Sequence, residues 1–156
     1  MQKITPFLWF NGQAEEAALF YTRLFSDSAM GSIVRQAPEG PVMTVTFRLF
    51  GQEFIALNGG PQFAFTPAVS FVVACDTQQE IDAYWEQLSE GGNTNKCGWL
   101  DDRFGLSWQV VPRQLGMWMS NPDTAKAQRV MQALMGMTKI NMGELEAVQA
   151  DDTVAA

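Results

Sequence analysis

The sequence predicts an α+β fold made of two βαβββ halves followed by C-terminal helices. Residues 42–50 alternate strictly, with Met43, Val45, Phe47 and Leu49 set against Thr44, Thr46 and Arg48, the pattern of a half-buried antiparallel strand. An order of strand, helix and three strands occupies about residues 3–60. A strand and a helix then begin again, and displacing the sequence by 64 sets Phe7 on Phe71, Glu16 on Glu80, Phe20 and Tyr21 on Tyr84 and Trp85, and Leu24 on Leu88. Two copies of such a unit indicate duplication rather than a solenoid.

Each element has its own signal. Residues 4–10 are a short apolar run stopped by Asn11-Gly12, hence a buried strand. Over 14–25, Ala17, Phe20, Tyr21, Leu24 and Phe25 share one helical face, and Glu15 and Glu16 in the first turn suit the helix dipole. Residues 28–36 form a weaker strand and 53–58 a third, before Gly59-Gly60-Pro61 breaks the chain. The Val-rich run 69–75 opens the second half, and Asp76-Thr77 caps a helix reaching about residue 88.

The second half then departs from the first. Residues 93–95 are too polar and too few for a full strand, so one strand is expected to be missing. Residues 96–101 and 106–111 read as a hairpin across Asp102-Arg103-Phe104-Gly105, closed by Pro112. Pairing Asp101 with Leu106 would set Trp99 opposite Trp108 and send Gln109 to the other face, so that one of Trp99 and Gln109 faces the core. Beyond Arg113 the chain is methionine-rich and helical, with Asn121-Pro122-Asp123 as a capped start, Val130, Met131, Leu134 and Met135 as an apolar stripe, and a last helix near 141–148. The expected organisation is one two-halved domain over 1–149, with halves at about 3–60 and 68–112, a helical extension at 113–149 and a disordered tail at 150–156.

Bulk properties exclude some functions. Ten Lys plus Arg against 17 Asp plus Glu give a net charge of -7, which repels nucleic-acid phosphates and anionic membranes alike. No apolar run approaches the roughly 20 residues of a membrane span, and the first residues lack a signal-peptide layout, so a cytoplasmic protein is expected. Cys75 and Cys97 are too few for a disulfide framework and are expected as thiols.

Three segments carry a resemblance: Thr5-Pro6-Phe7-Leu8-Trp9-Phe10-Asn11-Gly12, Ala56-Leu57-Asn58-Gly59-Gly60, and the run from Cys97-Gly98-Trp99-Leu100-Asp101-Asp102 through Trp108-Gln109-Val110-Val111-Pro112. With two βαβββ halves in view, the chain resembles the vicinal-oxygen-chelate superfamily of glyoxalase I, bleomycin-resistance proteins and extradiol dioxygenases. Within it, these segments look like the PhnB-like branch, whose members carry the label 3-demethylubiquinone 3-methyltransferase-like. A methyltransferase of that kind needs a Gly-rich strand-to-helix turn for S-adenosylmethionine and an acidic residue beyond it. Here Asn58-Gly59-Gly60 opens onto Pro61 and phenylalanines instead.

The resemblance also implies where metal ligands would stand in relatives that use a metal. They fall near Thr5 or Pro6, near residues 56–58, near Ser70 and at Gln109. None of these is a histidine or carboxylate, and the chain has no histidine at all. Neutral groups of this kind are weak ligands for a divalent transition metal, so no metal and no cofactor are expected.

The remaining expectation is a cleft with aromatic walls and a few neutral hydrogen-bonding groups. Its candidate liners are Trp9, Asn58, Gln62, Phe63, Phe65, Trp99 and Gln109. Against this stand plainer readings: Trp9 and Trp108 as core between sheet and helix, Asn58 as a turn former, and the 62–65 segment as ordinary packing or a lid. Asp102 in its tight turn is more naturally a backbone cap than an acid or base, and Cys97 has no histidine to activate it. The leading expectation is a metal-independent protein that binds a small molecule, as a homodimer. The alternatives are an enzyme of lyase, isomerase or dioxygenase type acting on a small hydrophobic substrate through Asp102, Cys97 or an unrecognised metal, and a protein-interaction module using the methionine-rich helices.

Overall fold

The computed structural model describes residues 1–151. The chain divides into two compact units, Met1–Phe65 and the part from Thr66 onward. In the first, β1 (Phe7–Phe10), α1 (Ala14–Leu24), β2 (Ser28–Arg35), β3 (Val42–Leu49) and β4 (Gln52–Asn58) build a sheet of order β1-β4-β3-β2, with β1 and β4 parallel and the rest antiparallel. In the second, β5 (Ser70–Cys75), α2 (Gln78–Ser89), β6 (Asn93–Thr94), β7 (Trp99–Asp101) and β8 (Ser107–Pro112) repeat it as β5-β8-β7-β6, with β5 and β8 parallel. The expected α+β arrangement of two βαβββ units is present, followed by α3 (Leu115–Met119), α4 (Thr124–Met135) and α5 (Met142–Ala150).

In each unit the helix covers one sheet face, and alternation decides which side chains it buries. Leu8, Phe10, Val45, Phe47, Leu49, Phe54 and Ala56 meet Ala14, Ala17, Ala18 and Tyr21 of α1. Val73, Cys75, Leu100, Trp108 and Val110 line the same side of the second sheet, with Ile81, Trp85 and Leu88 of α2 buried in that unit. The α2 start is capped at both levels: Thr77 Oγ1 accepts from Glu80 N at 3.1 Å, and Glu80 Oε2 accepts from Asp76 N at 2.7 Å.

The strand expected to be missing is shortened instead. Asn93 and Thr94 pair with Asp101 and Leu100, and Asn95 N donates to Trp99 O at 2.8 Å, so two polar residues serve as the fourth strand. An edge strand is held by backbone bonds, which polar residues make as well as apolar ones. Gly92 permits the approach, since a Cβ there would lie 2.0 Å from Asp101 O.

The repeat offset also needs correction. The helices superpose at 64, as Tyr21 and Trp85 are both buried, but the buried strand residues Leu8 and Phe10 correspond to Val73 and Cys75, an offset of 65. Phe7, set on Phe71 by the single displacement, is 56% exposed on the face away from α1. The strand-to-helix connection is one residue longer in the first half, Asn11-Gly12-Gln13 against Asp76-Thr77.

The C-terminal helices belong to the second unit, and residues 137–142 tie them to it. Cys97 N and Gly98 N donate to Met137 O and Thr138 O, each at 2.9 Å, and the Gln78 carboxamide bridges Ile140 O (3.0 Å) and Met142 N (2.7 Å). Ile140 is wholly buried, and Lys139 pairs with Asp82 at 2.9 Å. Arg129 reaches from α4 to the carbonyls of Val148 and Asp151 at the end of α5. Ala150, placed in the expected tail, is the last residue of α5, while residues 152–156 lie outside the described residues. Among the described residues, no helix is long and apolar enough to cross a membrane.

Candidate functional site

The chemistry of each sheet is to be sought on the face its helix leaves free. In the second unit this face carries Ser70 and Val72 from β5, Ser107 and Gln109 from β8, and Trp99 and Asp101 from β7. Val72 is 58% exposed, Trp99 and Gln109 are half-buried, and Ser107 is fully buried. Gln109 Nε2 donates to Ser70 Oγ at 2.9 Å, and Ser107 Oγ donates to Asp101 Oδ1 at 2.6 Å.

This grouping overturns the expected hairpin register. Asp101 pairs with Ser107, not Leu106, so Trp99 stands opposite Gln109 and Leu100 opposite Trp108. A one-residue slip exchanges the faces of a strand. Trp99 and Gln109 therefore share the face away from the helix, and neither faces the core.

Asp102 is the cause of that register. Its carboxylate, 2% exposed, accepts from Phe104 N (2.8 Å), Leu106 N (3.1 Å) and Trp108 Nε1 (2.9 Å), while Asp102 N donates to Leu106 O at 2.9 Å. Gly105, at φ +87, takes the left-handed position that a three-residue hairpin loop requires. Asp102 thus caps its own turn and fixes Trp108 on the helix side.

In the first unit the face away from α1 carries Phe7 and Trp9 of β1 and their β4 partners Ile55 and Leu57. Trp9 is not between sheet and helix as expected, whereas Trp108, 4% exposed, is. Trp9 Nε1 donates to Gly60 O at 2.9 Å, and Phe63, 67% exposed, meets its indole edge-on with ring centroids 4.9 Å apart. A Cβ on Gly59 would fall 2.3–2.6 Å from three indole carbons, so only glycine lets the backbone rest on the ring.

The other candidates of this unit have different surroundings. Asn58 accepts from Ala14 N at 2.9 Å and donates to Val42 O at 3.1 Å, so its carboxamide satisfies the first turn of α1. Phe65 packs edge-on against the buried Phe10, with centroids 5.2 Å apart, and Gln62 is exposed. Trp9 and Phe63 therefore come together in the first unit and Trp99 and Gln109 in the second, while Asn58 and Phe65 serve the fold. Val72, Phe7 and Ile55 were missed as candidates, and Ser70 was named only as an implied ligand position; strand alternation marks them once the offset of 65 is known.

The positions implied for metal ligands can be tested against these residues. In the second unit they are the hydroxyl of Ser70 and the amide of Gln109, already bonded to each other. By strand pairing, the counterpart of Gln109 in the first unit is Ile55, since Phe7 pairs with Ile55 as Val72 pairs with Gln109. Such a set does not fit a divalent transition metal, and among the described residues no three His, Cys, Asp or Glu side chains gather as ligands.

The thiols differ in setting. Burial, with Glu80 and Asp76 nearby, pushes Cys75 up to about 12, and Cys75 is wholly enclosed. Cys97 is half-buried at φ +62, where its backbone bonds the 137–138 segment.

The family model described as 3-demethylubiquinone-9 3-methyltransferase matches residues 2–111. The PhnB protein from Bacillus cereus is 41% identical, with a TM-score of 0.67 over 71% of this chain and 99% of that one. A protein from Pseudomonas aeruginosa (22% identity, TM-score 0.60, 70% and 96% of the two chains) and FosX, a genomically encoded fosfomycin resistance protein from Listeria monocytogenes (12%, 0.55, 77% and 98%), share the fold. No curated protein sequence matches the chain. Asn58-Gly59-Gly60 ends a strand without opening a helix, so the family's descriptive name brings no methyl-donor turn with it. On the family model and the Bacillus relative, the chain belongs to the PhnB-like family described as 3-demethylubiquinone-9 3-methyltransferase, built on the glyoxalase/bleomycin-resistance fold.

Proposed function

We propose that the protein binds a small, largely apolar organic molecule without a metal, using the sheet faces that the helices leave free. The observation that carries this reading is the Gln109–Ser70 pair, with Trp99 and Val72 on either side of Gln109: a neutral hydrogen-bonding pair beside an indole and an aliphatic side chain stands where the resemblance implies histidine and carboxylate ligands in metal-using relatives. Asp102, one of the two adjacent carboxylates that could serve as acid or base, is committed to three N–H donors, which favours binding over catalysis. The same reading includes a homodimer, by analogy with the superfamily, and sedimentation equilibrium measures it.

Metal analysis of the purified protein together with a thermal-shift screen of small organic molecules tests the proposal. A ligand that binds the native state raises the melting temperature by mass action. The expected outcome is hits that keep their shift after exhaustive chelation and lose it in Trp99→Ala or Gln109→Ala. A stoichiometric transition metal lost in Gln109→Ala would overturn the metal-free reading. Turnover of a hit would replace binding by the alternative of an enzyme on a small hydrophobic substrate.

A further inference from the structure

The Gln109–Ser70 pair presents both a hydrogen-bond donor and an acceptor. Gln109 Nε2 donates to Ser70 Oγ at 2.9 Å, and among the described residues its Oε1 makes no hydrogen bond. A serine hydroxyl that accepts one bond still has its own proton to donate. The pair thus offers the Ser70 hydroxyl as a donor beside Gln109 Oε1 as an acceptor, with the second Nε2 hydrogen as a further donor. Reversing the carboxamide keeps this count: Ser70 would then donate to the amide oxygen, leaving a hydroxyl lone pair to accept and the Gln109 NH2 to donate.

The surroundings restrict what can meet the pair. Trp99 stands directly across from Gln109 on β7, and Val72, 58% exposed, is its neighbour on β5, so Gln109 lies between an indole and an aliphatic side chain, with Ser70 two residues from Val72 on the same face. The charged group on this face is Asp101, which accepts from Ser107 Oγ at 2.6 Å and would repel an anion. Val72, exposed in the middle of a strand, stands ready to be covered by a flat apolar body.

From this geometry we infer that the site takes a neutral, flat ring bearing a hydrogen-bond donor and acceptor on adjacent atoms, such as a lactam or a hydroxy-carbonyl ring, and disfavours carboxylates. The inference rests on the binding function proposed above and sharpens it to a ligand class. The donor and acceptor of the ring meet the complementary pair in a two-point contact, while its faces cover Trp99 and Val72. Each half of such a contact is a neutral hydrogen bond made in a partly dry setting, where a ligand that leaves its partner unsatisfied loses affinity.

Three bicyclic probes test this: 2-quinolone, which carries N–H beside C=O; N-methyl-2-quinolone, in which the donor is blocked; and quinoline-2-carboxylate, which is anionic. Each is titrated into 15N-labelled full-length protein, reading the Gln109 side-chain amide and the Trp99 indole N–H. The expected result is that 2-quinolone shifts both signals and binds about tenfold more tightly than its N-methyl form, the size of one neutral hydrogen bond, with the carboxylate weaker still. Gln109→Leu and Ser70→Ala should each abolish the preference for the N–H probe while leaving N-methyl binding intact, and Trp99→Ala should weaken both. Where Gln109→Leu does not fold, Ser70→Ala carries the test.

Equal binding of the two quinolones at these signals, preference for the carboxylate, or no shift at Trp99 and Gln109 with any probe would each overturn the inference. The broader proposal fails on different evidence, namely a wide screen without any thermal-shift hit or a required metal. Hits that map away from Trp99 and Gln109 would leave binding standing and remove the assigned ligand class.

Discussion

Replacing Asp102 probes the turn that sets the candidate face. Its carboxylate, 2% exposed, receives Phe104 N, Leu106 N and Trp108 Nε1 at 2.8, 3.1 and 2.9 Å. Asp102→Ala orphans three donors. Leu106 and Trp108 are buried, at 2% and 4% exposure, and their N–H groups cannot all be rehydrated. At about 1–3 kcal/mol for each buried unsatisfied donor, with water recovering part of the Phe104 bond, the variant should lose about 3–5 kcal/mol. That is a large share of the roughly 5–15 kcal/mol of a typical domain.

Asp102→Asn is the sharper variant. An amide oxygen still serves the two backbone donors, but its NH2 is turned against Trp108 Nε1, donor against donor, for a loss of about 2 kcal/mol. Urea unfolding followed by circular dichroism measures both. In a Trp108→Phe background the donor clash disappears, so the double-mutant cycle should show a coupling of about 1–2 kcal/mol, well above the additive limit of about 0.5 kcal/mol. Additivity within that limit, or an Asn variant as stable as the parent, would refute the assigned role of Asp102.

Gly98→Ala should cost about 2–3 kcal/mol in the same assay, because φ +79 is strained for alanine and its Cβ would lie 2.7 Å from Val110 O and 2.8 Å from Ile140 Cδ1. Gly59→Ala should displace the Trp9 indole and break its bond to Gly60 O, read as a large shift of the Trp9 indole N–H resonance; an unmoved resonance would contradict the close packing. A disulfide reagent at pH 8 should titrate Cys97 in the native protein and Cys75 only after unfolding, since burial pushes Cys75 up to about 12. Arg113 holds the Asp76 carboxyl below its ordinary value, and Lys139 does the same for Asp82. The unfolded chain therefore binds more protons on acidification. This stabilisation is present above the ordinary carboxylate value of 3.8 and is lost as pH falls below it. Asp76→Asn should flatten that acid limb, and salt should shrink it, because both carboxylates are exposed.

The fold was legible where local chemistry repeats along the chain. Alternation at Val45, Phe47 and Leu49, the Thr77 and Asp123 caps and the paired helix faces of Tyr21 and Trp85 are each decided within a few residues. A backbone-held edge such as Asn93–Thr94 leaves no apolar pattern, which is why the fourth strand of the second sheet was read as missing. Of the expected site, Asn58 was read as a cleft liner or a turn former, whereas it ends β4 and its carboxamide bonds Ala14 N and Val42 O, partners 44 and 16 residues away that no local pattern reveals.

By itself, then, the sequence determined the duplicated strand-and-helix order, all but the short edge strand of the second unit, the helices, and the absence of histidine and carboxylates at the positions the resemblance implies for metal ligands. Tertiary structure decided which side chains share a face. Side chains on a strand alternate with period two, so a single residue in a turn or a connection reverses every orientation beyond it. The extra residue between β1 and α1 placed Phe7 and Trp9 away from the helix, and the Asp102 turn set Trp99 opposite Gln109. That pairing, closed when three N–H groups from the next six residues meet one carboxylate, is what brings Trp99 and Gln109 onto a single face.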